Sequence, residues 1–175
     1  MLSRQSLPRL WLMTDERQGD GLLDAIARLP AGAGIVFRHD RLPEVARRDL
    51  FDRVRAAHPG LLLLAGPAEQ GASWGADGSH GRGPGFGLRS APVHNHMEIR
   101  AAERAGAALL FLSPVYPTRS HPGAPALGLA RFAWLARRTP LPVIALGGMN
   151  AGRGKRLASF GAYGWAGIDT FARSG

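Results

Sequence analysis

The chain has 175 residues, a formal charge of +9 and no cysteine. That length suits one domain over residues 1–175 with a sizeable core, and the missing cysteines exclude disulfides, thiolate catalysis and Cys-ligated zinc while agreeing with a reducing cytoplasm. No apolar run approaches the roughly 18 residues of a membrane span, and the first ten residues hold no apolar segment of signal-peptide length, so neither membrane association nor export is expected.

The positive excess is almost all arginine, with Lys155 the only lysine. Arg, Ala, Gly and Pro, all abundant here, share GC-rich codons, so a GC-rich genome accounts for the bias. The arginines are also dispersed: Arg47, Arg48, Arg53 and Arg55, then Arg100 and Arg104, then Arg137 and Arg138. This dispersal reads as solvated helix faces, and nucleic acid is not expected as a partner.

Short apolar runs alternate with amphipathic stretches. A buried strand is predicted over 10–14, then a helix over 20–29, where Leu22, Leu23, Ile26 and Leu29 keep a helical spacing and Pro30 follows. A strand over 34–38 leads to a charged amphipathic helix over 43–57, ended by His58-Pro-Gly60. The run over 61–65 has the unbroken apolar character of a strand buried on both faces. Residues 66–87 are Gly-rich with little periodicity and lack the pattern for two full crossover helices. Short strands are read there over 75–80 and 86–90. Regularity returns with a helix over 95–105, Asn95 as its N-cap and Gly106 as its stop. Strand 108–113, helix 130–138, strand 142–146, helix 150–160 and strand 163–168 complete the chain. This alternation implies parallel pairing, and a count near eight strands predicts a (β/α)8 TIM barrel. Such barrels typically take about 250 residues, so this one is shortened, with helices missing or reduced around strands 3–5. A doubly wound open sheet is the second reading.

In a parallel barrel, ligands sit on the loops that follow the strands. The loop from Ser113 to Gly123 offers the hydroxyls of Thr118 and Ser120, the cation Arg119 and the titratable ring of His121. Gly147 and Gly148 precede a helix start, where an oxyanion can approach backbone N–H groups and the helix dipole; Gly167 and Ile168 repeat that arrangement after the last strand. Arg38 would point a forked donor into the barrel mouth, unless it pairs with Asp40 on the rim. His94 and His96 lack a third ligand at sensible spacing, so histidine-held metal is not expected. His80, near the end of a short strand, is equally suited to a structural role.

The segments Leu112-Ser-Pro-Val-Tyr-Pro-Thr-Arg-Ser-His-Pro-Gly123, Pro142-Val-Ile-Ala-Leu-Gly-Gly-Met149 and Gly161-Ala-Tyr-Gly-Trp-Ala-Gly-Ile168 resemble, in order and spacing, the last three strand segments of the thiamine phosphate synthase family, which has a thiazole tautomerase branch. The resemblance is specific from Ser90 to Ile168 and weaker around residues 10–15, 35–38 and 75–80. It implies a TIM barrel, phosphorylated small-molecule substrates and a transferase that joins a pyrimidine-methyl diphosphate to a thiazole phosphate with magnesium, releasing pyrophosphate. It implies roles for Arg38 on the diphosphate, for Thr118 and Ser120 as a hydroxyl loop, and for Gly147, Gly148, Gly167 and Ile168 around a phosphate. Ser90 or Pro92 would match a family serine, ahead of His94. Several positions depart from the family pattern. Asp40 stands where the family has a lysine, Ala65-Gly-Pro67 replaces an Asn-Asp pair, Arg82-Gly-Pro-Gly85 replaces a magnesium-binding Asp, and His121 replaces a lysine. The family's usual magnesium ligands are therefore not seen, and the metal ligands are unknown. A thiazole tautomerase-like isomerase using His121 or His94, or a non-catalytic binder of phosphorylated thiamine precursors, are the alternatives. Pro114 occupies the place of the tautomerase branch's histidine. A homo-oligomer is compatible with the sequence.

Overall fold

The computed structural model describes residues 7–118, 123, 125–168 and 171. Eight strands run in chain order: β1 Leu10–Met13, β2 Gly34–Phe37, β3 Leu62–Ala65, β4 Gly78–His80, β5 Leu88–Val93, β6 Leu109–Leu112, β7 Val143–Ala145 and β8 Gly164–Gly167. Each pairs in parallel with its neighbours, and β8 returns to β1 through Leu12↔Gly167, so the sheet closes into a barrel. Closure leaves no edge strand. The predicted eight-stranded parallel barrel is what the chain forms.

Alternate residues of each strand face inward and outward. Trp11, Met13, Val36, Leu63, Phe111 and Ile144 fill the interior, together with Leu109 and Ala166. Leu12, Ile35, Phe37, Leu62 and Leu64 face the helices on one side, and Val93, Leu110, Leu112 and Val143 on the other. Burial on both faces is why these strands read as unbroken apolar runs. The Trp11 indole also explains Gly34, because a Cβ there would lie 2.5 Å from the ring.

Among the described residues six helices surround the barrel: α1 Leu22–Ala27, α2 Glu44–Ala57, α3 Ala68–Trp74, α4 His96–Arg104, α5 Gly128–Ala136 and α6 Ala151–Ala158. A 3-10 segment over Glu16–Gly21 precedes α1; the spacing of apolar residues did not announce it, because it buries none. The predicted shortage falls between β4 and β5, where residues 81–87 cross without a helix; a seven-residue α3 does follow β3. The strand predicted to end at Ser90 runs on to Val93, past Pro92. Asn95 caps α4 by accepting from Glu98 N, and Gly106 ends the segment with φ +77°.

One expectation about the charged helix is corrected. Arg47 is buried, not solvated, on the same face of α2 as Phe51 and Val54. Arg55 is also engaged, donating to Asp77 and to the carbonyls of His58 and Gly60.

Candidate active site at the mouth of the barrel

All eight strands point the same way, so their C-terminal ends form one mouth. Arg38, just after β2, lies across the end of β1. Its Nε donates to Thr14 O at 2.7 Å and its Nη2 to Asp15 Oδ2 at 2.7 Å. Its ion-pair partner is therefore Asp15, not Asp40. Nη1 donates to nothing among the described residues, which leaves one side of the fork available. Burial works to raise the Asp15 pKa, but hydrogen bonds from Arg17 and the charges of Arg38 and Arg17 outweigh it and hold this carboxyl below its ordinary value. Burial lowers the Arg38 pKa, and the Asp15 charge opposes that.

Thr14, Asp15 and Arg47 were not singled out in the sequence, yet they fix Arg38. Thr14 Oγ1 accepts from Arg38 N at 3.0 Å and meets His39 Nδ1 at 3.0 Å. Arg47, reaching up from α2, donates to Arg38 O and Ala65 O, and so ties the ends of β2 and β3 together. Only the fold brings these residues together from three elements.

Below this layer, His80 on β4 faces Ser90 on β5 in register. His80 Nδ1 and Ser90 Oγ are 2.9 Å apart, and the ring stands edge-on to Phe111. Burial pushes the His80 pKa down to about 3, and the Arg38 charge adds to the effect. Between about pH 6.5, the ordinary histidine value, and pH 3, the unfolded chain therefore binds a proton that the folded chain refuses. The stability that His80 contributes is complete above pH 6.5 and is lost as the pH falls toward 3. The expected slope is up to about 1.4 kcal/mol per pH unit for this group. His39 and His58, also lowered chiefly by burial, act in the same direction. Urea midpoints measured stepwise from neutral pH to about pH 4 should fall, and His80→Gln should flatten the fall.

His94 follows β5, and its Nδ1 lies 2.8 Å from Ser113 O, a contact that requires a proton on Nδ1 and, in the neutral ring, leaves Nε2 as an acceptor. His96 leads α4, and its ring meets Trp134 on α5. The two histidines thus serve different places and form no joint ligand pair. Glu98 accepts from His94 N, Asn95 Nδ2 and Arg82 Nη2, so it fixes the β4–β5 loop to the start of α4.

The loop after β6 lies on the loop after β7. Val115 N donates to Leu146 O and Tyr116 N to Gly147 O. Gly147 and Gly148 have φ of +97° and +62°, the left-handed region that favours glycine. A Cβ on Gly147 would lie 2.7 Å from Pro114 Cα, and one on Gly148 2.7 Å from Pro117 O. The protein's own loop therefore already demands glycine at both positions. Asn150 caps α6 by accepting from Arg153 N, and the Arg153 guanidinium donates to Gly148 O and covers the Tyr116 ring at 4.3 Å. Half-buried Thr118 is carried on this same loop. Gly167 ends β8, and Ile168 O accepts from Gln18 Nε2. Arg119, Ser120 and His121 lie outside the described residues.

The described residues do not fit the magnesium that the resemblance implies. Among the described residues no three of His, Cys, Asp or Glu gather as a metal site. Asp15, a carboxylate in the mouth, has Oδ1 taken by Arg17 and Oδ2 by Arg38.

Fold and mouth define a (β/α)8-barrel protein of the TIM type. Residues 90–171 match the family described as thiamine monophosphate synthase. A protein of Aquifex aeolicus, designated by inference a second thiamine-phosphate synthase, is 30% identical over 188 residues, covering 94% of this chain and 98% of that one. The thiamine-phosphate synthase of Salinispora arenicola is 30% identical across 92% of this chain and 88% of its own. The thiamine phosphate pyrophosphorylase of Pyrococcus furiosus superposes with a TM-score of 0.76 over 93% of this chain and 86% of its own, at 20% identity, a likeness of fold. The chain belongs to the thiamine phosphate synthase family. No helix among the described residues is long and apolar enough to cross a membrane.

Proposed function

We propose that this chain is a transferase that joins 4-amino-2-methyl-5-hydroxymethylpyrimidine diphosphate to a thiazole phosphate, forming thiamine phosphate and releasing pyrophosphate. Family membership along nearly the whole chain supports the reading. The observation that carries it is Arg38, a cation held in the mouth by Thr14 and Asp15 with Nη1 left to donate. In this reaction the C–O bond to diphosphate breaks, the electron pair leaves with the diphosphate oxygen, and the thiazole nitrogen captures the pyrimidine-methyl cation. No nucleophilic side chain is needed. The protein must orient two ligands and stabilise the departing charge, and a fixed guanidinium suits the latter.

In this reading Arg38 takes the diphosphate. Thr118 serves the phosphate approach beside Gly147, Gly148 and the start of α6, Gly167 and Ile168 follow at the end of the adjacent strand β8, and Arg119 and Ser120 are assigned to the same role on sequence grounds. Ser90 on β5 and His94 just after it face the substrates, and His121 remains a candidate proton donor on sequence grounds. Magnesium enters no step in this reading, because Asp15, the carboxylate beside Arg38, already has both oxygens taken by Arg17 and Arg38. The substrates are phosphorylated small molecules, and the reading places the reaction in the cytoplasm, without nucleic acid or membrane. A second reading, a thiazole phosphate isomerase, is favoured by His94, whose neutral ring presents Nε2 as an acceptor at the exposed mouth.

The test is pyrophosphate release by the purified chain given both precursors, with and without Mg2+. Release accompanied by thiamine phosphate is the expected result. No release under conditions where calorimetry still detects binding of the thiazole phosphate would overturn the synthase reading. Solvent proton exchange into the thiazole phosphate alone would then favour the isomerase.

A further inference from the structure

Thr14 holds Arg38 twice. Its Oγ1 accepts from Arg38 N at 3.0 Å, and its carbonyl accepts from Arg38 Nε at 2.7 Å. Thr14 is fully buried, and the other contact of Oγ1 among the described residues is His39 Nδ1 at 3.0 Å. A threonine hydroxyl has one proton, and a backbone N–H can only donate. Oγ1 already accepts from Arg38 N, so its own proton is left for His39 Nδ1. Were Nδ1 to carry the ring proton, Oγ1 would accept twice and its proton would be buried without an acceptor, which is costly. Burial keeps the ring neutral, so Nδ1 has its lone pair to give. His39 is therefore the Nε2–H tautomer, and the bonds run one way, from Arg38 N–H to the Thr14 hydroxyl to His39 Nδ1.

The backbone of His39 is a second, independent observation. Its φ is +47°, and among the described residues it is the one non-glycine in the left-handed region. Glycine or asparagine would take this conformation at less cost. The turn, closed by Leu42 N on His39 O, folds the ring back onto Phe37, stacked at 5.0 Å with 21° between the planes. His39 is 3% exposed. A histidine held in such a conformation implies that its side chain is needed where it is. Phe37 faces the helices, so the ring lies on the outer side of the sheet, where it lines a cavity of about 320 Å3 with Glu16, Asp20, Leu42 and Arg53.

We propose that His39 is a positioning residue for Arg38: by accepting the Thr14 hydroxyl proton it fixes the rotamer in which Thr14 Oγ1 holds Arg38 N, and so aims the Arg38 guanidinium into the mouth. Without that acceptor the hydroxyl turns, Arg38 N loses its partner, and the end of β2 that carries the fork loosens. This rests on the reading of Arg38 as the cation for diphosphate, but its two readouts do not need turnover.

The first readout is the ring-nitrogen magnetic resonance spectrum of the folded, histidine-labelled protein, with His39 assigned by its absence in His39→Asn. A protonated Nε2 and a bare Nδ1 are expected, and an Nδ1–H signal at His39 would sink the proposal. The second is calorimetric binding of inorganic pyrophosphate at a pH above the ordinary histidine value. His39→Gly suits the backbone and removes only the ring. It should weaken pyrophosphate about tenfold, the order of one misplaced donor to a charged group. His39→Asn tolerates the same φ, and its Oδ1 can accept the Thr14 proton, so it should recover most of the affinity. Added imidazole should do the same for His39→Gly, because the space left by the ring opens on the neighbouring cavity. Unchanged affinity in His39→Gly would overturn the proposal. So would a loss that neither asparagine nor imidazole reverses, since that marks a merely structural role. Absence of pyrophosphate binding to the unaltered protein would overturn it as well, and pyrophosphate release from the two precursors would then show whether the synthase reading still stands. Failure of the synthase reading alone looks different: no release from the precursors, with the tautomer and the imidazole-dependent affinity intact.

Discussion

Replacing Arg47 with alanine is expected to destabilise the folded chain by about 3–5 kcal/mol, without removing any group placed on a substrate. Arg47 is 6% exposed. Its guanidinium donates to Arg38 O at 3.0 and 2.9 Å, to Ala65 O at 2.6 Å and to Gln70 Oε1 at 2.5 Å. It also lies 5.4 Å from the Trp74 ring and 5.8 Å from that of Phe37. Truncation leaves two strand-end carbonyls and a glutamine oxygen without their donor, at about 1–3 kcal/mol for each group that stays dry. It also empties volume beside two aromatic rings. For a chain of this size the melting temperature should fall by roughly 6–20 °C. Arg47→Met separates the contributions, because it refills the space without restoring the donors and should recover only part of the loss. Arg47→Lys keeps the charge, but one ammonium group cannot reproduce the forked contacts to both strand ends, so it too should remain well below the unaltered protein. A melting temperature unchanged in Arg47→Ala would mean that the ends of β2 and β3 are secured by other contacts.

Arg38→Ala is expected to lower kcat/KM for thiamine phosphate formation by about 10²–10³-fold, the usual cost of removing one fixed donor to charge that develops in a transition state. Its stability loss should be smaller than that of Arg47→Ala. The Arg38 side chain is 28% exposed, and water can replace much of the pair with Asp15. Arg38→Lys distinguishes fork from charge. Lysine can meet Asp15 or a phosphate oxygen, but it cannot hold Thr14 O and Asp15 while presenting a third nitrogen to a ligand. Steady-state kinetics with both precursors, with a thermal melt on each variant, checks this. A kcat/KM within about threefold of the unaltered value in Arg38→Ala would remove Arg38 from the diphosphate site and weaken the synthase reading.

These two arginines differ in a way that the sequence could not express. Both were legible as cations, Arg38 at a strand end and Arg47 on an amphipathic helix. Their roles depend on which carbonyls lie within reach, and those carbonyls belong to β1 and β3. The helical period placed Arg47 near the apolar stripe of Phe51 and Val54, but charge alone suggested solvent. Burial of a guanidinium becomes favourable only where strand-end carbonyls need donors.

What the sequence by itself determined was the architecture. The runs around Leu12, Ile35, Leu63, Leu110 and Ile144 are apolar on both faces and regularly interrupted by amphipathic stretches, and parallel strands with crossover helices are the arrangement that satisfies both patterns. The Gly-rich stretch over residues 66–87 marked where helices would be reduced; α3 forms within it, and the seven residues over 81–87 cross without a helix. The segments from Ser90 to Ile168 carried the family. Only the tertiary structure decided the mouth: Asp15 rather than Asp40 on Arg38, Ser90 on His80, and Ser113 O on His94. Each of these contacts joins neighbouring strands whose facing residues are set by barrel register, and register is a property of the closed sheet that no local pattern encodes.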